Sequence, residues 1–165
     1  MTRRTFARVS TIAAGAAIAP LLTTGARATA DDTLQSEFLL DLVIETQAPN
    51  TVGADRVIVP VSGGTFEGPR LKGTIVGPGG DWIVRRADGS MALDVRLVLQ
   101  TDDGQKVSMT WRGISYTPPG GTQYARILPL FETGAAKYDW LNHLVAVGVN
   151  RPMPGKVAYR IYRIL

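Results

Sequence analysis

The stretch "MALDVRLVLQTDDGQKVSMTW", residues 91–111, decides the fold. Apolar and polar residues alternate along both of its halves, as expected for strands with one buried face, and a turn sequence separates the halves. When Leu99 is placed opposite Val107, a three-residue loop ending in Gly104 remains between the strands. A type I turn that closes on a left-handed glycine requires that arrangement. The hydrophobic pattern and the turn chemistry therefore predict the same hairpin register.

The same register predicts which side chains face each other across the hairpin. It sets three further pairs: Leu97 with Met109, Val95 with Trp111, and Asp94 with Arg112. If the apolar face points into the fold, Asp94 and Arg112 form a surface ion pair of little energetic value. If the interior is polar, Asp94, Arg96 and Arg112 line it and could hold a carboxylate. Alternation alone favours the surface ion pair.

Short extended segments bounded by Gly, Pro and Asp recur from residue 37 to the C-terminus and predict about nine strands. The best helix candidate is the short segment "TGAAKYDWLNH", where Thr133 could cap one or two turns. With so few helices to cover a sheet, a long meander must close on itself or fold into two layers. We therefore expect an all-β fold, a single small antiparallel β-barrel.

The N-terminal segment carries the features of an export signal. Thr2, Arg3, Arg4 and Phe6 form a twin-arginine pattern, and Ala28-Thr29-Ala30 forms an A-x-A cleavage site. The apolar stretch between them is rich in Ala, Gly and Thr, so no stable membrane anchor is expected. These features predict a twin-arginine signal peptide at residues 1–30, cleaved after Ala30, and a barrel domain at residues 31–165. The protein would reach the periplasm or the extracellular space through the twin-arginine export machinery.

Charge and composition exclude several classes of function. The predicted signal peptide holds four of the 18 basic residues and no acidic one, so 14 basic residues balance 14 acidic ones in the remainder. A domain without net positive charge is not expected to bind nucleic acid. The chain has no Cys and a single His, His143, so iron–sulfur, haem-thiolate and multi-histidine metal sites are not expected. A carboxylate-only Ca²⁺ or Mg²⁺ site stays open, but no EF-hand-like spacing is present, and we expect no cofactor and no metal. The sequence leaves the oligomeric state open.

The glycine-rich segment "GTFEGPRLKGTIVGPGGDW", residues 64–82, ends in an acid beside a large aromatic residue. Glycine and proline bends at the rim of a barrel would hold Asp81 on rigid backbone at the mouth. Asp81 would act as a general acid/base if Trp82 and its surroundings exclude enough water to raise its pKa. In the alternative interpretation, Asp81 caps the turn and Trp82 fills the core.

A second polar and aromatic cluster lies in "FETGAAKYDWLNH", residues 131–143. Tyr138 and Trp140 could form a stacking wall for a flat ligand, with Asn142 as a hydrogen-bonding group. Arg126, on the strand before this cluster, is a further candidate for ligand binding. The alternative is that these side chains plug one end of the barrel.

Three motifs carry a resemblance to a known family. The segments "RVIVPVSGGTFEGPRLKGTIVGPGGDW", "ADGSMALDVRLVLQTDDG" and "FETGAAKYDWLNHLVAVG" closely resemble the domain-of-unknown-function family 3237, also called the UPF0311 proteins. The resemblance implies a single small antiparallel β-barrel and no established activity. It also implies a set of pocket residues within the family's G-x-D-W, L-D-x-R and Y-x-W-L-N elements: Asp81, Asp94, Arg96, Tyr138, Trp140 and Asn142.

Three functional hypotheses follow from these observations. In the first, the barrel binds a small apolar or aromatic metabolite in its interior. In the second, it is a cofactor-free lyase, isomerase or cyclase in which Asp81 moves a proton and Arg96 stabilises an enolate or carboxylate. In the third, it is a structural or accessory periplasmic protein, which would require an exposed apolar patch.

Overall fold

Nine β-strands and one short 3₁₀ helix make up residues 33–165, the part of the chain that the computed structural model describes. The predicted signal peptide lies outside the described residues. No helix within them has the length and apolar character needed to cross a membrane. The elements are β1 Ser36–Thr46, β2 Asn50–Thr51, β3 Arg56–Glu67, β4 Lys72–Arg85, β5 Met91–Thr101, β6 Lys106–Tyr116, β7 Tyr124–Glu132, the 3₁₀ helix Ala136–His143, β8 Ala146–Asn150 and β9 Val157–Ile164.

The strands close into an antiparallel barrel. From β3 to β9 each strand pairs with the next one along the chain, and β1 pairs with both β9 and β3. Eight strands thus form the ring, while the two-residue β2 lies beside β3. Closure leaves no long sheet edge exposed, which is how an all-β meander with little helix avoids open edges. The predicted fold class, an all-β single antiparallel barrel, is confirmed.

The hairpin of β5 and β6 has the predicted register. Leu99 pairs with Val107, and Asp94 pairs with Arg112. Gly104 has a φ of 81°, the left-handed conformation expected at the end of the loop. The alternating residues of β5 from Leu93 to Leu99 are buried, so the apolar face points into the barrel.

The glycines of residues 64–82 do not build a rim, contrary to the prediction. Most of them lie inside β3 and β4, where the register shifts between Pro60 and Thr65 and again between Val76 and Gly80. At Gly64 a Cβ atom would lie 2.1 Å from the carbonyl oxygen of Val43 on β1. The glycines therefore allow backbone to approach backbone closely where the strands bend and coil.

The two ends of the barrel differ. Tyr138 and Leu141, on the 3₁₀ helix, are buried against the core and cover the end near the β5–β6 loop. The helix has no side-chain cap: its N-cap residue is Ala135, whose backbone N–H donates to the Thr133 hydroxyl. Thr133 is therefore not the N-cap residue that was expected. Cavities remain at the other end, where β4, β6, β8 and β9 contribute polar residues.

Candidate functional site

Two cavities lie at the end of the barrel away from the 3₁₀ helix, and they share part of their lining. The larger has a volume of about 510 Å³ and the smaller about 130 Å³. Four residues border both cavities: Asp81, Ile83, Val157 and Tyr159. The smaller cavity is otherwise lined mainly by aliphatic side chains. A cavity with mostly apolar walls and a few polar groups is typical of a small-molecule site.

Asp81 is the acidic group common to both cavities. It pairs with the inward-facing Val95, so its side chain points into the barrel. Its Oδ1 accepts a hydrogen bond of 3.1 Å from the backbone N–H of Asp94. The pKa of Asp81 is raised to about 6 from the usual 3.8: burial is the main cause, that hydrogen bond opposes the rise, and the nearby charge of Asp94 adds to it. A carboxyl group with such a pKa exchanges protons readily near neutral pH.

Two aromatic side chains from other strands border the smaller cavity beside Asp81. Tyr159 on β9 and Trp111 on β6 are buried and meet edge to face, with ring centroids 6.1 Å apart. Burial and the charge of Asp81 raise the pKa of Tyr159 to about 12, so its hydroxyl stays protonated. Asp81 and Tyr159 together offer an acid/base and a neutral hydrogen-bond donor within one cavity.

Basic side chains also line the larger cavity, but they have acidic partners. Arg151 Nη1 lies 2.8 Å from Asp41 Oδ2, and Lys156 Nζ lies 2.6 Å from Glu45 Oε1. Asp41 also accepts two hydrogen bonds from Arg160, which together with Arg151 lower the pKa of the Asp41 carboxyl. Because these charges neutralise one another, the site is not built to attract a strongly charged ligand.

Arg96 and Trp82 do not face Asp81. Arg96 follows the inward-facing Val95 on β5, so strand alternation directs it to the outer face, where its side chain is 57% exposed. Its guanidinium lies 5.3 Å from the centre of the Trp82 ring. The barrel wall therefore separates Arg96 from the acid that it was expected to assist.

The Asp94 side chain is on the outer face as well. Arg96 and Arg112 lie 3.6 and 3.7 Å from its carboxylate oxygens, and the Arg112 side chain is 82% exposed. The predicted surface ion pair is therefore the arrangement found, and such pairs contribute little to stability. The groove beside it on the outer wall holds Leu128, Leu130 and Val145.

The Tyr138, Trp140 and Asn142 cluster is located at the opposite end of the barrel from Asp81. The Tyr138 hydroxyl donates to Asp103, in the β5–β6 loop. Asn142 accepts from the backbone N–H of Thr133 and donates to its carbonyl oxygen, which ties the 3₁₀ helix to the end of β7. These contacts hold the covering helix in place, so the plugging interpretation describes what the cluster does.

Two further members of the predicted set have structural partners. The Trp140 ring lies under the Arg70 guanidinium, 3.8 Å away. Arg126 packs its guanidinium 4.5 Å from the Tyr124 ring and donates to the Asn150 side chain, which borders the larger cavity. Within residues 33–165, no group of three or more His, Asp or Glu side chains converges in a way that could hold a metal ion.

The comparisons with known proteins agree with this architecture. Residues 34–164 match the family model described as "Protein of unknown function (DUF3237)". The chain belongs to the DUF3237 family. The family resemblance inferred from the sequence motifs is thus confirmed.

Several known proteins resemble this chain in sequence or structure. A UPF0311 protein of Clostridium acetobutylicum is 26% identical over 147 residues, which cover 78% of this chain and 92% of the relative. A β-barrel-like protein of Acinetobacter baumannii, solved by crystallography, has 31% identity and a TM-score of 0.74, covering 81% of this chain and 97% of that one. A hydroalkoxylation enzyme of Penicillium herquei is 31% identical over 93 residues, 56% of each chain.

Sequence reasoning missed Tyr159 and did not assign a role to Trp111 beyond its hairpin pair. Trp111 was placed opposite Val95, and its inward orientation follows from that pair. Tyr159 lies on β9, and its approach to Asp81 depends on ring closure between the first and last strands. No local pattern in the sequence reports that closure.

Proposed function

We propose that this DUF3237 protein is a cofactor-free enzyme in which Asp81 transfers a proton to and from a small apolar substrate. One observation carries the proposal: a carboxyl group with a pKa of about 6 borders a mostly apolar cavity large enough for a small molecule. Enzymes place raised carboxyl pKa values at sites of proton transfer because the group must both hold and release a proton at working pH.

The reaction class that fits best is addition of a hydroxyl group across a carbon–carbon double bond, with ring closure when both groups belong to one molecule. The Asp81 carboxylic acid gives its proton to one alkene carbon. The hydroxyl oxygen forms a bond to the other carbon, and the hydroxyl proton passes to the Asp81 carboxylate. The product is an isomer of the substrate, so no oxidant, reductant or cofactor is consumed. The name of the Penicillium herquei relative, a hydroalkoxylation enzyme, supports this class.

Tyr159 takes the role that the sequence suggested for Arg96. Its hydroxyl remains a neutral donor beside Asp81, so it can orient the substrate oxygen without removing the proton that Asp81 must move. The aliphatic walls of the smaller cavity lower the local polarity around Asp81 and strengthen these polar interactions.

The test measures turnover of a panel of unsaturated alcohols and phenols, with and without a ketone or ester carbonyl, with ortho-allylphenol as the carbonyl-free reference compound and chromatographic detection of the cyclic ether. Asp81→Asn should lower the rate at least about 100-fold, the usual size of an acid/base contribution. Two matched variants should keep the rate: Asp102→Asn, which changes an exposed acid in the β5–β6 loop, and Arg96→Met on the outer face. In D₂O, one deuterium should appear on a product carbon.

Unchanged turnover in Asp81→Asn would reject Asp81 as the proton donor. Retention of an apolar or aromatic metabolite by the native protein, with no conversion of it by the wild type, would favour a binding barrel instead. Native mass spectrometry of protein purified from its host measures that retention directly. The same cavities would serve either role, because binding is the first step of the proposed reaction.

We also propose that the protein acts in the periplasm or outside the cell. The support is the twin-arginine pattern with its A-x-A site. Cell fractionation of the double variant Arg3→Lys, Arg4→Lys should find the protein retained in the cytoplasm. The control variant Arg8→Lys, outside the pattern, should be exported normally; export of the double variant would refute the proposal.

A further inference from the structure

We infer that Trp111 donates a hydrogen bond from its indole Nε1 to a carbonyl oxygen of the substrate, and that the substrate is a small cyclic or branched carbonyl compound. The inference deepens the proposed function by naming a substrate class for the same site. It rests on that function only for the identity of the reaction, because binding of the carbonyl group can be measured without turnover.

The first observation is a buried donor without an acceptor. Trp111 is 3% exposed, and its Nε1 atom finds no hydrogen-bond partner among residues 33–165. Buried polar groups in folded proteins are nearly always hydrogen-bonded, and an unsatisfied one is strongly unfavourable. A bound ligand that supplies the acceptor would explain why the protein buries an indole N–H without a partner.

The second observation is the location of the Trp111 side chain. Trp111 borders the smaller cavity together with Asp81, Thr46 and Tyr159. The side chains of Asp81 and Thr46 could accept a hydrogen bond, yet neither accepts one from the indole. The remaining lining is aliphatic: Ile44, Val59, Val61, Ile83, Val95 and Val157. The Trp111 side chain therefore borders a cavity whose wall is mostly aliphatic, with Asp81, Thr46 and Tyr159 as its other polar groups.

The size and polarity of the cavity define the ligand. A dry apolar cavity of about 150 Å³ accommodates a benzene ring, so the smaller cavity, about 130 Å³, suits one six-membered ring or a branched group of similar size. The indole N–H is a donor only, so its complement is an acceptor such as a ketone or ester carbonyl. A site with an unpaired buried donor discriminates against analogues that lack the acceptor, because the donor then stays unsatisfied.

The test compares two probes of nearly equal shape, cyclohexanone and methylenecyclohexane, in which an oxygen atom is replaced by a methylene group. Calorimetric titration should show that the wild type binds the ketone roughly tenfold more tightly, the value of one hydrogen bond. Trp111→Phe keeps an aromatic ring and removes the N–H group, so it should bind both probes equally. Trp140→Phe, at the covered end of the barrel, is the matched control and should keep the preference.

A spectroscopic measurement on the wild type removes any dependence on how the variant folds. The chain has three tryptophans, so its indole N–H groups give three assignable NMR signals. Cyclohexanone should shift the Trp111 signal downfield and leave those of Trp82 and Trp140 in place, whereas methylenecyclohexane should not produce the downfield shift. A preserved ketone preference in Trp111→Phe, an unshifted Trp111 signal, or failure of the wild type to bind either probe would overturn the inference.

The outcomes separate this inference from the proposed function. Turnover of Asp81→Asn tests the proton donor, whereas the ketone preference of Trp111→Phe tests the carbonyl site. If Asp81→Asn retains turnover while Trp111→Phe loses the ketone preference, the proposed function fails and the carbonyl site stands. If Asp81→Asn loses turnover while Trp111→Phe keeps the ketone preference, the proposed function stands and the carbonyl site fails.

Discussion

The backbone N–H of Asp94 donates a hydrogen bond to Asp81 across two paired strands, although the two carboxylates lie on opposite faces of the barrel wall. The amide lowers the pKa of Asp81, and the negative charge of the Asp94 side chain raises it. A surface acid thus influences an interior acid through one layer of backbone.

The raised pKa of Asp81 predicts how stability depends on pH. The folded state holds the proton with a pKa of about 6, whereas the unfolded chain releases it near 3.8, so the free energy of unfolding falls as pH rises from about 4 to 6. Asp81→Asn removes this pH-dependent decrease in the free energy of unfolding, and its side-chain oxygen can still accept the hydrogen bond from the Asp94 amide. We expect the variant to be more stable than the wild type by about 1–3 kcal/mol at pH 8. The difference should vanish near pH 3; urea unfolding at both pH values measures it, and equal stability at pH 8 would contradict the buried, ionised carboxylate.

Asp94→Asn should lower the pKa of Asp81. The substitution removes the like charge and leaves the backbone N–H that donates to Asp81. NMR titration of the Asp81 side-chain carboxyl carbon measures the pKa directly. Asp102→Asn removes an equal charge at the far end of the barrel and serves as control. If the two variants shift the Asp81 titration equally, the influence of Asp94 is only that of net charge.

Asp103 should matter more for stability than its neighbour Asp102. Asp103 accepts hydrogen bonds from Lys137 and Tyr138, which connect the β5–β6 loop to the 3₁₀ helix, and from Thr101 at the end of β5. The hydrogen bond from Lys137, followed by those from Thr101 and Tyr138, holds the pKa of Asp103 well below the usual range. Asp102 has an exposed ion pair at 3.5 Å.

Asp103→Ala should therefore lower the melting temperature at pH 7 clearly more than Asp102→Ala. Because the pKa of Asp103 is depressed, its stabilisation is present above the unfolded pKa and is lost as pH falls through the folded one. The gap between the two variants should narrow in strong acid. Equal melting temperatures at pH 7 would show that Asp103 does not anchor the helix.

Gly104→Val should destabilise the hairpin by on the order of 1 kcal/mol or more, because a β-branched residue is strained at positive φ. The φ of Gly104 is 81°, and no atom lies within 4 Å of a Cβ built there, so backbone strain acts without a steric clash. Gly134→Val is the matched control: its Cβ also meets open space, and its φ is not positive. Thermal unfolding of both variants measures the difference, and equal melting would contradict the left-handed conformation at Gly104.

Much of the fold could be predicted because it depends on local sequence patterns. Alternation on β5 and β6 and the Asp102-Asp103-Gly104 loop determine one register, and that register determines which residues face inward. The sequence also contained enough information to predict that Arg96 and Asp81 lie on opposite faces of the barrel wall. Counting back from the turn at residues 87–90 pairs Arg85 with Met91 and therefore Asp81 with Val95, which directs Arg96 to the opposite face.

The rest of the candidate site depends on contacts between distant parts of the chain. Tyr159 reaches Asp81 only because β9 pairs with β1 and closes the ring, and the sequence carries no local signal for that pairing. The polar cluster around Tyr138 was ambiguous for the same reason. Its partner Asp103 is 35 residues away, so residue types alone could not distinguish a ligand-binding wall from a structural plug.

Gly64 pairs with Ile44 on the strand that closes the ring, where the nearest atom to an added Cβ would be a main-chain oxygen. Main-chain atoms cannot rotate aside as a side chain can, so the contact between β1 and β3 leaves room only for the hydrogen atom of a glycine at position 64. Residues that line the cavities meet side chains and open space rather than a main-chain oxygen at this distance, so larger or smaller side chains can be accommodated there. Proteins with this fold can therefore bind different ligands by exchanging cavity-lining residues, whereas position 64 has to remain glycine.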